Sequence, residues 1–122
     1  MKRIDAVIRQ ESLDHVRERL IALGVEGLTV TEAIGFGHQK SRPVFYRGCE
    51  YTMEFHPKLL LTIIAVEGQV TQILDAIVAG ARTGKIGDGK IFVTSLEEVV
   101  RIRTRESTRL PESYSLRLPT SA

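Results

Sequence analysis

Apolar residues along this chain change period from two to about 3.6 and back, and they do so twice. Residues 2–9, Lys-Arg-Ile-Asp-Ala-Val-Ile-Arg, alternate and are rich in Ile and Val, so they read as a strand. Leu13, Val16, Leu20 and Leu23 then fall at helical spacing, with Ser12 as N-cap, Asp14 in the first turn and Gly24 as the stop. Residues 28–36 read as a second strand. The order then recurs. Residues 58–66 form a mostly apolar strand, and Val70, Ile73, Leu74, Ile77, Val78 and Ala81 trace one helical stripe. Residues 82–90 read as a glycine-rich loop, Ile91-Phe92-Val93 starts a further strand, and residues 99–103 read as a short extra one. This β-α-β, loop, β-α-β order predicts an α+β, ferredoxin-like βαββαβ fold: an antiparallel sheet with both helices on one face. Two βαβ units of similar size look like an internal repeat. A domain of this size buries a limited core, so the second sheet face needs cover, and oligomerisation through it is the natural answer.

Residues 37–57 fit neither period. They hold Gly37, Pro43, Gly48 and Pro57, with Phe45, Tyr46 and Tyr51 among mixed charges. A connection of about 20 residues is long for a compact domain, and such loops are usually functional. Part of it could form a projecting hairpin. From Arg105 the pattern dissolves, and Pro111 and Pro119 punctuate a tail. The expected organisation is a domain over residues 1–106 and a tail over 107–122.

Hydrophobic residues at 43% and charged ones at 26% of 122 residues suit a folded domain and exclude global disorder. No apolar run approaches the roughly 18–20 residues that cross a bilayer, since the longest, 59–66, contains Thr62. The first residues show no signal-peptide stretch, and the single Cys49 excludes an internal disulfide framework and a multi-cysteine zinc site. These features predict a cytoplasmic protein without membrane insertion. The net charge of +2 is too weak to imply nucleic-acid binding, but it is uneven. From Arg101 onward five arginines face two glutamates, which puts +3 there and leaves −1 over the rest.

Residues 84–90, Gly-Lys-Ile-Gly-Asp-Gly-Lys, satisfy G-x-x-x-x-G-K, the P-loop pattern, up to its last position. There Ile91 replaces the hydroxyl residue that would bind Mg²⁺. A P-loop also runs from strand to helix, whereas this loop runs from helix to strand. A P-loop NTPase is therefore excluded. The phosphate chemistry still applies, because three glycines let backbone N–H groups converge on an anion, with Lys85 and Lys90 supplying charge. The plain alternative is a turn. Arg101 and Arg103, at i and i+2 on the expected last strand, would share a face and fork a polyphosphate. Their plain alternative is a solvated basic edge.

These segments resemble the PII signal-transduction family of nitrogen regulatory proteins. The resemblance is carried by Gly35-Phe36-Gly37 with Gln39-Lys40, Tyr46-Arg47-Gly48 with Glu50-Tyr51, Ala81-Arg82-Thr83-Gly84-Lys85-Ile86-Gly87-Asp88-Gly89-Lys90-Ile91-Phe92-Val93, and Val100-Arg101-Ile102-Arg103-Thr104. It covers about residues 1–106. It implies a homotrimer with nucleotide sites between subunits, and no enzymatic activity. By resemblance Gly87, Asp88, Gly89 and Lys90 cradle the phosphates of ATP or ADP, while Arg101 and Arg103 reach them from the neighbouring subunit. Thr29, Gly35 and Ile64 line the adenine and ribose pocket, and Gly37 and His38 complete the nucleotide set. Gly37, Gln39, Lys40 and Lys58 hold 2-oxoglutarate, with Gln39 on Mg²⁺. Residues 37–57 form an effector loop that docks on targets such as an ammonium transporter or a nitrogen-metabolism enzyme, and Tyr51 matches a tyrosine that is uridylylated in many bacterial members. The chemistry agrees: ATP with 2-oxoglutarate concentrates negative charge that Lys58, Lys90, Arg101, Arg103 and a metal can balance, and an amide oxygen suits Mg²⁺. ATP with the oxoacid would order the loop one way and ADP another.

The chain departs from the family pattern at several points. His38 stands where an arginine reaching the terminal phosphate is common, Thr62 replaces a common glutamate, and Arg105 takes the place of a common glycine. The loop centre Ser41-Arg42-Pro43-Val44-Phe45 is unusual, and Cys49 stands where some cyanobacterial members carry a phosphorylated serine. Other readings are a PII-like variant sensing adenine nucleotides with another small ligand such as bicarbonate, and an RNA-binding ferredoxin-like module. RNA recognition on a sheet needs aromatics on the central strands; the first strand here has none, and Phe92 alone is a weak signal. An acylphosphatase-type enzyme, by resemblance, needs an asparagine, and the chain has none.

Overall fold

The computed structural model describes residues 1–36, 44–46, 49–51 and 55–108, with side chains described at 1–36 and 55–108. Six strands and two helices follow in order: β1 (Lys2–Arg9), α1 (Leu13–Ala22), β2 (Thr29–Phe36), β3 (Val44–Tyr46), β4 (Cys49–Tyr51), β5 (Phe55–Ala65), α2 (Val70–Ala81) and β6 (Gly89–Ser95). The main sheet has the order β2-β5-β1-β6, every neighbouring pair antiparallel, and β3 and β4 form a separate hairpin. This is the α+β, ferredoxin-like arrangement that the two repeated periods predict, and the hairpin lies within the long connection.

Alternation decides what each strand buries. Ile4, Ala6 and Ile8 of β1 and Leu59, Leu61, Ile63 and Ala65 of β5 are buried on one face of the sheet. They meet Val16 and Leu20 of α1 and Ile73, Ile77 and Ala81 of α2 in one cluster. Each fully buried aliphatic side chain there contributes about 1.5–3 kcal/mol. Val78, expected on the same stripe, stays 46% exposed, so the buried stripe of α2 is narrower than its apolar one. Helix α1 ends as Gly24 predicts. Gly24 takes φ +85, its N–H donates to Ile21 O and the Val25 N–H donates to Leu20 O, which is a Schellman motif.

Four local expectations are corrected. Ser12 does not cap α1. It is buried in helical backbone (φ −86°, ψ −10°) and makes no side-chain cap bond, because the chain enters α1 through a 3₁₀ turn, Gln10–Ser12. A cap needs an extended residue whose oxygen can reach forward. Strand β5 begins at Phe55, three residues before the expected start, and includes Pro57. Proline is tolerated because β1 pairs with β5 only from Lys58 onward, so Pro57 has β2 on one side and no strand on the other. Strand β6 begins at Gly89, not Ile91. Finally, residues 99–103 do not form a strand. Val100 makes an isolated bridge to Ser107, and the Arg105 N–H donates to Arg101 O at 2.7 Å, closing a turn. Arg105, where a glycine is common in the resembling family, adopts φ +60. The shared strand face expected for Arg101 and Arg103 is therefore absent.

Candidate site at the glycine loop

The face of the sheet away from the helices carries Arg3, Asp5, Val7 and Arg9 from β1 and His56, Lys58, Leu60, Thr62 and Ile64 from β5, as the register requires. Phe92, opposite Asp5, is its described aromatic ring on β6. At the Arg9 end of this face lies the loop that joins α2 to β6.

Asp88 closes that loop. Its carboxylate accepts the N–H groups of Thr83 and Gly84, each at 2.9 Å, and the Thr83 hydroxyl. Arg9 Nε stands 3.5 Å from it. These donors, led by the Thr83 hydroxyl, favour the charged form and lower the Asp88 pKa from 3.8 to about 2. Asp88 thus shapes the loop through its side chain, and only its backbone remains to face an anion.

Two cations of the sheet hold the other side of the loop. Arg9 Nη2 donates to Ile86 O at 2.8 Å, and Lys58 Nζ donates to Gly87 O at 2.6 Å. Lys58 is only 6% exposed. Burial, and then the Arg9 guanidinium, lower its pKa, with Glu11 and Asp88 opposing. A buried cation whose partner is a neutral carbonyl is under-compensated, and a carboxylate is the partner it favours. The glycines make this geometry attainable. Gly87 takes φ +102 and Gly89 φ +115, and a Cβ on Gly89 would stand 1.7 Å from Val7 O. No other residue fits there.

Several residues singled out from sequence converge here. Gly87, Asp88, Gly89 and Lys90 run along the loop into β6, and Lys58 reaches them from β5. Gly35 joins them, since the Lys58 side chain packs over it, with Cγ 3.4 Å from where a Cβ would be. Thr29 opens β2 directly across from Thr62, with Ile64 next along that face. Thr62 donates to Asp5 Oδ1 at 2.8 Å, and Arg3 Nε donates to the same carboxylate. The open face here thus presents a neutral hydroxyl that donates to Asp5. Arg101 and Arg103 lie elsewhere in the chain. Strand β6 runs from Gly89 beside Ile8 to Ser95 beside Lys2, so their segment leaves the sheet at the end opposite the glycine loop. Gly37, His38, Gln39 and Lys40 lie outside the described residues. Tyr51 ends β4, paired with Val44. Among the described residues no group of three His, Cys, Asp or Glu side chains is placed to hold a metal.

Sequence reasoning missed Arg9 and Thr83. Arg9 was legible as the last open-face position of the first strand's alternation. Thr83 had no comparable signal, because its role depends on the loop bringing it back to Asp88.

The fold defines a ferredoxin-like domain with a glycine-rich loop between α2 and β6. Comparison with known proteins narrows this. A family model described as "Nitrogen regulatory protein P-II" matches residues 1–106. The chain is 52% identical over 106 residues to a nitrogen regulatory protein P-II of Pasteurella multocida, 51% to one of Azospirillum brasilense and 51% to one of Microchaete diplosiphon. Each alignment covers 87% of this chain and 95% of the relative. The chain belongs to the nitrogen regulatory protein P-II family. It is a signal-transduction regulator and not an enzyme. No helix among the described residues is long and apolar enough to cross a membrane.

Proposed function

We propose that this regulator senses ATP, ADP and 2-oxoglutarate and signals through residues 37–57. The observation that carries the reading is the buried Lys58, held beneath the glycine loop by a single carbonyl oxygen. Nucleotide phosphates would lie on the backbone of Gly87, Asp88 and Gly89 with Lys90, and the base and ribose near Thr29, Gly35 and Ile64. Lys58, with Arg9 beside it, would take a carboxylate of 2-oxoglutarate. Gly37, His38, Gln39 and Lys40 would complete the site, with Gln39 offering an oxygen to Mg²⁺.

Arg101 and Arg103 would complete the phosphate site of a neighbouring subunit in a homotrimer. Their exit from the far end of the sheet supports that arrangement. Ligand occupancy would shift the populations of the 37–57 loop, and targets such as an ammonium transporter or a nitrogen-metabolism enzyme would read the difference. Tyr51 is the candidate modification site.

Calorimetric titration with ATP, ADP and AMP, with and without Mg²⁺ and 2-oxoglutarate, tests the reading. Absence of nucleotide binding refutes it. Binding of ATP without any gain from 2-oxoglutarate favours a variant answering to another small ligand, such as bicarbonate. Lys90→Ala weakens every nucleotide, and unchanged ADP binding by that variant would remove the glycine loop from the site. Sedimentation equilibrium of the full chain gives a trimer mass.

A further inference from the structure

Ile102 is 98% exposed, more than any other large apolar side chain among the described residues. It stands on a turn that backbone bonds hold closed. The Arg105 N–H donates to Arg101 O at 2.7 Å, the Arg101 N–H to Glu106 O at 2.9 Å and the Thr108 N–H to Val99 O at 3.1 Å. An apolar knob on a turn that is already ordered loses little further entropy when it is covered. At the other end of β6 lies a hole. A cleft of about 320 Å³ opens between the C-terminal half of α2 and the start of β6, lined by apolar Ile77, Val78, Ala81 and Ile91 and bordered by Arg82 and Lys90. Val78, beside it, is the side chain of α2 that the core leaves 46% exposed. Ile102 does not fill the cleft of its own chain. Strand β6 has Gly89 at the cleft end and Ser95 at the other, and the chain goes on to Ile102 from Leu96, whose N–H donates to Met1 O. These two ends of β6 are about 20 Å apart.

We propose that Ile102 of one copy of this chain enters the α2–β6 cleft of the next copy. Knob and hole are different surfaces, so the contact is head to tail, and its repetition closes a ring. This deepens the reading of the chain as a homotrimer and rests on it. Insertion covers Ile102 and Val78 together. It also carries Arg101 and Arg103, on either side of the knob, towards the glycine loop of the next copy. Arg82 and Lys90 already stand there, and the Asp88 carboxylate is engaged by Thr83, Gly84 and Arg9. Like charges therefore meet across the contact, and a bound polyphosphate offsets them. The ring is tighter with nucleotide than without it.

The test is sedimentation equilibrium of the full chain over a dilution series, with and without ADP, using wild type, Ile102→Asp and Val78→Asp. Both positions are exposed in the single chain, so each variant keeps its fold, which far-ultraviolet circular dichroism checks. Each variant weakens association about tenfold to a hundredfold per contact, the worth of burying one aliphatic side chain. An equimolar mixture of the two regains part of the ring mass, because the Val78→Asp chain keeps a native Ile102 and the Ile102→Asp chain a native cleft. Wild-type association by Ile102→Asp overturns the proposal and leaves the trimer reading in place. A mixture no better than its components overturns the pairing of knob with cleft. ADP tightens the wild-type ring, and a ring that ADP leaves unchanged overturns the charge argument. A wild-type chain that stays monomeric with and without ADP refutes the trimer reading and this proposal together.

Discussion

Gly89 and Gly84 both have left-handed backbone, at φ +115 and +84, but only one is crowded. A Cβ on Gly84 meets nothing within 4 Å, whereas one on Gly89 would lie 1.7 Å from Val7 O. The pair separates conformational strain from steric exclusion. Gly84→Ala incurs the left-handed penalty of about 1–2 kcal/mol, offset by about 0.4–1 kcal/mol from a stiffer unfolded chain. Its net loss is about 0.5–1 kcal/mol.

Gly89→Ala carries the same strain and must also open about 2 Å to reach an ordinary contact distance. Val7 cannot retreat, because β1 is held between β5 and β6. The edge strand β6 has to move instead, which breaks the Ile8–Gly89 end of its ladder at about 1 kcal/mol per hydrogen bond. With one or two of these bonds lost, the expected total is about 1.5–3 kcal/mol. Urea unfolding of both variants at matched protein concentration measures the difference, and nucleotide titration reads its consequence at Lys90, the next residue of β6. If Gly89→Ala is no more destabilising than Gly84→Ala, the steric argument is wrong.

Other expectations follow from the same site and its support. Asp88 has a folded-state pKa of about 2, below its ordinary 3.8, so its contribution to stability is present above that ordinary value and is lost as pH falls through about 2. Thermal melts between pH 4 and 2 should show the wild type losing more stability than Asp88→Asn, and parallel curves would contradict the loop-closing role. Lys58→Met keeps the aliphatic stem and removes an under-compensated charge, so chemical denaturation should show stability unchanged or raised. The same variant loses about tenfold or more in 2-oxoglutarate affinity and spares ADP, and an undiminished oxoacid affinity would remove Lys58 from the site. Ile77→Ala, at a side chain 1% exposed in the core, should cost about 2–5 kcal/mol in urea unfolding, and a loss under 1 kcal/mol would mean that α2 collapses readily onto the sheet.

The parts of this protein visible in its sequence are those that depend on neighbours along the chain. Alternation in residues 2–9 and the helical stripe over 70–81 located β1 and α2 at their observed bounds. Gly24 marked the end of α1 because a left-handed stop is a local requirement. Failures came where a distant segment decided the outcome. Pro57 argued against a strand and was accepted into one only because β1 ends beside Lys58. Residues 99–103 have strand-like composition but make only the isolated Val100–Ser107 bridge among the described residues, and the chain closes on itself through Arg105 and Arg101. Ser12 had the right chemistry for a cap, but the 3₁₀ turn set its backbone before its side chain could act.

The site divides in the same way. Sequence alone placed Gly87, Gly89 and Lys90 together at one glycine-rich loop, because glycine's freedom at positive φ and lysine's charge belong to the residues themselves. Only the tertiary structure brought Lys58, some thirty positions earlier, to Gly87 O, and only it turned the Asp88 carboxylate inward to Thr83 and Gly84. Arg9 and Gly35 likewise gain their places from register, since they are neighbours of Lys58 across the sheet and far from it along the chain. Side-chain chemistry and backbone preference are local and can be read from letters. Which charges meet in a buried pocket depends on how antiparallel strands align, and that alignment is settled by the packing of the whole core.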